Sequence, residues 1–499
     1  MQSKEIALLF STFLIAISGL IYELLEGTLS SYLLGDSIYH FSLVIGLFIS
    51  SMGIGAWASR YIKDEIKAFV NIQISIAIIG GFNVLILFVA FAFIDNYEPF
   101  LYLVTTLLGS LLGAEIPLII TILKNSFELK VNISNIFTLD YIGALIASLL
   151  FPLILLPKLG LMQSSFLFGG VNLFVASMAY YIFRDKLNKS ILVVLFLVAL
   201  TLLAGFLGSN RLTSFIENKL YKQNIIYSKQ TKYQKIVITS DKGRVVFYIN
   251  GAIQFDTIDE FRYHESLVHP AMLNAKNRSN ILIIGGGDGM ALREVLKYKD
   301  VKRVTLIDLD KEVTNLFKNN KNLAKLNNFS FSNSRVKVIN SDAWKFLENH
   351  KELYNVIIID LPDPNNISLS RLYTKSFYKL IVSSLSRDGI FVTQATSPLF
   401  TREAFWSIYK TIKSIGLNTK AYHTYVPSFG EWGFVMGSKM KLSFDYNISK
   451  KYRYLNSVIL KQMPNFPNDM SQLNVSINTI DSHPLLKYYN SGWIKWYGK

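Results

Sequence analysis

The 499-residue chain contains no cysteine and only six histidines. Without cysteine there can be no disulfide, no thiolate metal site and no thiol nucleophile, although the compartment stays open. No set of His, Asp and Glu has metal-ligand spacing, so no metal is expected. Negative charge is in short supply: 35 acids face 51 Lys and Arg, a net charge of +16. Neither a basic helix nor an aromatic–basic repeat accompanies that surplus. This argues against nucleic acid as a partner and for a basic protein beside an anionic lipid bilayer. The first apolar run lacks the small-residue cleavage site of a secretory signal and leads into further runs, so it is expected to be retained.

What is present divides into two parts. The first 209 residues are strongly apolar, with runs near 6–25, 38–59, 70–94, 100–123, 135–157, 161–183 and 190–208. Each has about the 20 residues needed to cross a bilayer, so seven spans are expected. The run at 135–157 is the least secure, since it holds Asp140 and Pro152. Arg60, Lys63, Lys67, Lys124, Lys130, Arg184, Lys186 and Lys189 fall in alternate loops, and the other loops carry almost only Lys158. The positive-inside rule would place the first set and the N-terminus in the cytoplasm, and seven spans would then put the rest of the chain outside. Gly46, Gly53 and Gly55 suggest close helix packing. Glu23, Glu26, Glu115 and Asp140 lie within or at the end of these runs. Burying them in lipid is costly, so they should face the bundle interior, either as interhelical hydrogen-bonding groups or along a path for a cation.

Residues 281–310, ILIIGGGDGMALREVLKYKDVKRVTLIDLD, carry the strongest functional signal. Ile281 to Ile284 make a buried strand; Gly285, Gly286, Gly287 and Gly289 make a tight turn; a helix and a second strand ending on Asp308 follow. That is half of a nucleotide-binding unit, with an acid about 20 residues past the glycines to hold ribose hydroxyls. Met290 stands where a dinucleotide fingerprint would have its last glycine. The pattern suits an adenosyl ligand without a pyrophosphate.

Around this unit, Tyr233–Thr239 and Arg244–Asn250 flank Ser240-Asp241-Lys242-Gly243 as a β-hairpin, and a helix is expected near 259–275. Strands are expected at 281–284, 303–308, 335–339, 355–360 and 389–394, with helices between them. The fold class is a polytopic α-helical membrane domain, then a small β domain, then an α/β Rossmann-like, methyltransferase-like doubly wound domain with mostly parallel strands. Expected boundaries are 1–209 for the transmembrane domain and 210–262 for the linker and β unit. The Rossmann-like domain takes 263–440 and a C-terminal extension 441–499. Ligands bind at the carboxyl ends of such strands, which singles out Asp288, Asp308, Asp342 and Asp360. Asp360-Leu361-Pro362-Asp363-Pro364 puts two carboxylates at the end of the fourth strand. They could simply cap a loop, or they could receive a cationic substrate and take a proton from its attacking nitrogen.

At this point the motifs resemble a known family. Asp259-Glu260-Phe261-Arg262-Tyr263-His264-Glu265, the glycine turn, Asp360-x-x-Asp363-Pro364 and Tyr373-Thr374-Lys375-x-Phe377-Tyr378 are similar to those of the polyamine aminopropyltransferases, the spermidine synthases, over roughly residues 225–440. The apolar N-terminal half, Ser397-Pro398, Pro427 to Phe434 and Phe466 to Met470 resemble the membrane-anchored, multi-span branch of that family. The resemblance implies transfer of the aminopropyl group of decarboxylated S-adenosylmethionine to putrescine or a similar diamine, giving spermidine and methylthioadenosine. The donor would be a co-substrate, with no tightly bound cofactor. Gln234, Gln254, Gly285, Gly287, Asp308, Asp342 and Ala343 would bind it, and Asp288 would hold its aminopropyl ammonium. Asp360 would be the catalytic base; Asp363, Tyr263 and His264 would line the diamine path. A homo-oligomer, a dimer and a cell-membrane location are expected on the same ground; a cytosolic co-substrate would put the catalytic domain in the cytoplasm, in conflict with the loop charges.

The chemistry is consistent with those roles. The donor carbon beside the sulfonium is already activated, so the protein must align the amine and remove its proton. An acid facing the donor's amino end suits a ligand without a carboxylate and repels one that has it. Leu361, Pro362, Val426 and Gln394-Ala395-Thr396 depart from the soluble relatives, and Tyr425 is one position off; these affect the identity of the amine more than the reaction. His269, His423 and His483 are expected to be structural, and the aromatics around 406–434 to be core. An amine methyltransferase on the same sheet and a non-catalytic polyamine sensor or transporter are the two alternatives.

Overall fold

The computed structural model describes every residue except 1, 35–36, 95–96, 125–128, 222, 449–450 and 498–499. The chain forms two compact units, 1–235 and 236–499.

The first unit is a bundle of α1 (Gln2–Leu34), α2 (Ser37–Ser59), α3 (Glu65–Phe93), α4 (Tyr97–Leu123), α5 (Leu129–Leu150), the single turn α6 (Leu156–Lys158), α7 (Gly160–Ile182) and α8 (Ser190–Tyr221), followed by strand β1 (Asn224–Gln230). Seven of these helices are long and apolar enough to cross a membrane, matching the seven expected runs. Their outer faces expose large apolar residues such as Leu103, Leu153, Phe196 and Leu207, while Gln73, Asn83, Glu26 and Glu115 are buried inside. That is the reverse of a water-soluble bundle, and it is what a lipid environment permits. Pro152 marks a π-helical turn over Phe151–Leu155, where the Leu156 N–H reaches back five residues to the Phe151 carbonyl; a proline lacks the N–H that the regular ladder needs. Of the three glycines in α2, Gly55 is the one at a close approach, against the Ser110 backbone of α4, while Gly46 and Gly53 face open space. Gly109 and Gly113 answer it from α4, against Phe48 and Met52.

The second unit begins with an antiparallel meander of β2 (Lys235–Asp241), β3 (Arg244–Ile249) and β4 (Ala252–Asp256). The turn between β2 and β3 is two residues, Lys242 and Gly243, with φ of 46° and 86°. Two left-handed residues make the turn whose twist matches a hairpin; the expected four-residue turn is correspondingly shorter. Phe247 and Phe255 pack on Phe317, with ring centroids 5.1 and 5.7 Å from it. Helix α9 (Glu260–Asn274) then leads into a seven-stranded sheet.

The sheet has the order β10-β11-β9-β8-β5-β6-β7. Its parallel part is β5 (Asn280–Gly285), β6 (Arg303–Asp308), β7 (Val336–Asn340), β8 (Tyr354–Asp360) and β9 (Leu385–Gln394). Ile281 to Ile284 of β5 and Val356 to Ile359 of β8 are fully buried, because helices cover both faces of a parallel sheet. Each such side chain contributes roughly 1.5–3 kcal/mol by leaving water. The covering helices are α10 (Met290–Val295), α11 (Lys311–Asn319), α12 (Lys321–Leu326), α13 (Ala343–Asn349), α14 (Ile367–Ser370), α15 (Lys375–Ser383) and α16 (Arg402–Lys413); α17 (Ser457–Gln462) and α18 (Pro484–Tyr497) end the chain. Two strands beyond the five expected, β10 (Asn418–Val426) and β11 (Gly430–Ser438), join antiparallel at the edge and make the sheet mixed. Of the aromatics of this region, Trp406, Tyr422 and Phe434 are buried in the core, Tyr409, Phe429 and Trp432 are half-buried, and Tyr425 is exposed, so the expectation of core holds for part of them. Buried Glu265 on α9 accepts the backbone N–H groups of Arg453, Tyr454 and Leu455, each at 2.9 Å, and so fastens the C-terminal segment.

Candidate active site

The site forms where β5, β6 and β8 end. Gly285 pairs with Asp360 across the β5–β8 ladder, and at φ 81° its missing Cβ lets the Asp360 carbonyl approach. Gly286 N–H donates to that carbonyl at 3.0 Å. Gly287 N–H donates to Asp308 Oδ2 at 3.0 Å, and a Cβ on Gly287 would lie 2.6 Å from that oxygen. Gly289, at φ 79°, starts α10. The glycines therefore let the turn sit directly against two carboxylate-bearing strand ends, which a side chain would prevent.

Four of the expected acids gather here, and no Lys or Arg pairs with any of them among the described residues. Asp288 accepts the Met290 N–H at 2.8 Å, and its carbonyl is held by Asn327 at 2.9 Å. Burial, with Asp360 nearby, pushes its carboxyl up to about 6 against the pull of His264. Asp308 accepts N–H bonds from Gly287 and Asp310, and burial pushes it up to about 7 despite them. Asp360 accepts the Tyr263 hydroxyl at 2.7 Å. Burial raises its carboxyl, while His264 and Tyr263 oppose the rise. Asp363 accepts from Tyr489 at 3.0 Å, Gln394 at 3.2 Å and Thr396 at 3.3 Å; burial still raises it to about 6. A group of acids whose carboxyls burial raises, at strand ends beside a glycine turn and without a cationic partner among the described residues, is an arrangement that can receive a cation.

The other expected residues fall into place around these acids or away from them. Tyr263 is buried against Phe429 and Phe434, with ring centroids at 5.7 and 5.4 Å, so the unexpected β10–β11 pair forms its wall. His264 is buried, its Nδ1 2.8 Å from Glu260 Oε2. Desolvation lowers the imidazole pKa, but Glu260, Asp288 and Asp360 together raise it above the ordinary value. Asp342 caps α13 through the Lys345 N–H at 3.0 Å and pairs with the Arg371 guanidinium, with Ala343 beside it. Gln254 lies on β4, its amide on the Ala252 carbonyl. Gln234 belongs to the first unit, in a turn where its N–H meets the Thr231 hydroxyl. Tyr425 is exposed and Val426 buried. His269 lies between Glu294 and Tyr298, and His423 between Glu431 and the Asn465 carbonyl.

Four contributors had no assigned role in the sequence. Glu260 binds both His264 and Arg293, the latter at 2.8 Å. Burial alone would raise its carboxyl, but those two cations hold it down at about 2. Its spacing of four from His264 on one helix face was the available signal. Gln394 donates to the Leu361 carbonyl at 2.8 Å and to Tyr373, whose own hydroxyl reaches the Pro362 carbonyl at 2.9 Å. The pair clamps the 361–363 loop. Tyr489 comes from α18, 126 residues after Asp363, and no local pattern announces it.

The model of the spermine/spermidine synthase domain matches residues 260–447. A polyamine aminopropyltransferase of Leptospira interrogans is similar at 44% identity, over 98% of this chain and 99% of its own length. Polyamine aminopropyltransferase 2 of Ralstonia nicotianae is 40% identical over 99% of each chain. A polyamine aminopropyltransferase of Mycobacterium tuberculosis is 32% identical over 96% of this chain and 94% of its own.

Proposed function

The chain belongs to the spermine/spermidine synthase family, and we propose that its second unit moves the aminopropyl group of decarboxylated S-adenosylmethionine to putrescine or a similar diamine. The observation that carries the reading is the set of three carboxyls, Asp288 buried and Asp360 and Asp363 half-buried, around the glycine turn with no Lys or Arg partner among the described residues.

In this reading Asp308 accepts the ribose hydroxyls of the donor, beside the glycine turn. Asp342 and Ala343 face the adenine, and Gln254 contacts the same ligand. Asp288 takes the donor's ammonium, which favours a donor without a carboxylate. Asp363 holds the far ammonium of the diamine, with Tyr263 and His264 along the path. The near nitrogen must lose a proton before it can attack, since amines of this kind are protonated at neutral pH. Asp360, raised by burial and aimed by Tyr263, accepts that proton. The nitrogen lone pair then forms a bond to the methylene carbon beside the sulfonium. The carbon–sulfur bond breaks, its electron pair returns to sulfur, and methylthioadenosine leaves. The protein's share is alignment and proton removal.

The test is to incubate the full-length protein with putrescine and either decarboxylated or intact S-adenosylmethionine, and to follow the products by mass spectrometry. Spermidine and methylthioadenosine from the decarboxylated donor alone are expected. A methylated amine from the intact donor would replace this reading with a methyltransferase.

The seven apolar helices support a multi-pass membrane protein. We place the catalytic unit on the cytoplasmic side, where a cytosolic co-substrate would reach it, against the loop charges. The absence of native cysteine makes single introduced cysteines at exposed Lys276 and Lys189 clean reporters of side. Labelling of the first only from the outside would reverse the assignment.

A further inference from the structure

The bundle repeats one arrangement twice. Asn83 Nδ2 donates to Glu26 Oε1 at 2.8 Å. Gln73 Nε2 donates to Glu115 Oε1. All four side chains are at most 1% exposed. In each pair the two remaining oxygens, Glu26 Oε2 with Asn83 Oδ1 and Glu115 Oε2 with Gln73 Oε1, have no hydrogen-bond partner among the described residues, with the Thr105 hydroxyl the one further donor beside Glu26. Both amides lie on α3, ten residues apart (83 − 73), or roughly 15 Å along the axis. Between them stands Tyr22, one turn before Glu26, whose unpartnered hydroxyl lies 2.8 Å from the Cβ position of Gly80.

A contact that only holds helices together would need one hydrogen bond per pair. Here each pair also presents two acceptor oxygens, one of them a carboxylate's, in an apolar interior where unmet polar atoms are costly. A ligand that fits must bring donors, carry positive charge and tolerate an apolar surround. An alkylammonium does all three: its head has three donors and no acceptor, and its chain is hydrocarbon. Two such stations in file suit a cation with more than one ammonium group.

We propose that the bundle of α1, α3 and α4 is a second binding site for alkyl polyammonium ions, separate from the transferase site, with Glu26–Asn83 and Glu115–Gln73 as its two ammonium stations. The inference rests on the helices spanning a membrane; its choice of ligand rests on the reading of the second unit, and the two can fail separately.

The experiment uses the full-length protein in lipid nanodiscs. The apolar reagent dicyclohexylcarbodiimide labels buried carboxyls, and peptide mass spectrometry reads Glu26 and Glu115 one by one. Spermidine should slow labelling of both by about tenfold, the equivalent of about 1.4 kcal/mol, and sodium chloride at equal ionic strength should not. E26Q and E115Q should each lose one class of bound radiolabelled spermidine while aminopropyl transfer stays within about twofold of the parent. Labelling unaffected by spermidine, or slowed equally by sodium, overturns the proposal, as does unchanged spermidine binding in folded E26Q and E115Q. If the variants do not fold, the labelling of the native chain decides alone. Protection without any transferase activity would leave this site standing and remove the proposed function.

Discussion

In the bundle, Glu26 meets the Asn83 amide and the Thr105 hydroxyl, and Glu115 meets the Gln73 amide. In the second unit, Asp308 is aimed by two backbone N–H groups, Asp360 by the Tyr263 hydroxyl, and Asp363 by two hydroxyls and an amide, and His264 stands close to Asp288 and Asp360. Both regions hold carboxyls away from water, but the bundle pairs leave oxygens unmet among the described residues, whereas the donors and the imidazole around the sheet's acids fix an orientation. Orientation matters where bonds are made and broken, because misplacement of a reacting group is expensive in rate. It matters less where an ion is only held. On the two proposals above, the contrast is between a site for chemistry and one for binding, using the same residue type.

The largest effect should come from removing the group assigned to the chemistry itself. Asp360→Asn keeps the size and the Tyr263 contact but cannot accept a proton. Turnover should fall roughly 10³-fold while donor binding, read by calorimetry, stays within about threefold. A loss of donor binding with turnover per bound donor unchanged would move Asp360 out of the chemistry. Next comes Gly287→Ala, whose Cβ would meet Asp308 Oδ2 at 2.6 Å. Donor affinity should fall by about a hundredfold, or about 2.7 kcal/mol, with little change in acceptor affinity. Asp308 also gives this arm a pH signature. Its raised carboxyl, near 7, must be ionised to accept both ribose hydroxyls, so donor affinity should weaken as pH falls through about 7.

Tyr489→Phe is expected to act more mildly. It removes one donor from Asp363 and leaves Gln394 and Thr396. The diamine KM should rise about tenfold with kcat little changed, the loss of one charge-assisted bond. That donor also holds the Asp363 pKa down, so its removal should push the acid limb of kcat/KM, expected near 6, to higher pH. A KM effect with no shift of the limb would make Tyr489 a wall of the pocket only.

The parts of this comparison differed in how far the sequence revealed them. The seven helices followed from run length, since crossing a bilayer demands one length of apolar chain. The parallel strands and the acids at their ends followed from buried runs and from where open sheets bind ligands. The β10–β11 pair was missed because Asn418–Val426 carries Thr, Lys and His among its apolar residues and is joined to its partner by Pro427-Ser428-Phe429 without a hairpin turn signal. Its place is set by pairing with β9 at long range. Tyr489 and the amide partners of Glu26 and Glu115 were missed for the same reason: contacts 126, 57 and 42 residues apart have no period or spacing to read.

The smallest effect tests whether charge behind the site matters once orientation is set. Glu260 touches neither expected ligand; it positions His264 and pairs with Arg293. Glu260→Gln keeps a hydrogen bond to the imidazole but removes the charge that raises its pKa. The rate should fall by only about threefold, within the range of one weakened polar contact. The pH response is the sharper readout. Glu260 is held at about 2, below its ordinary 4.5. A depressed acid adds stability that is fully present above its unfolded value and lost as pH falls toward the folded one. The parent should therefore lose melting temperature between about pH 4.5 and 2 through this group, and Glu260→Gln should lose less over that interval. If the variant instead lost the whole 10³-fold expected of Asp360→Asn, the distinction between aiming a carboxylate and charging its surroundings would collapse, and His264 would have to be placed in the proton transfer itself.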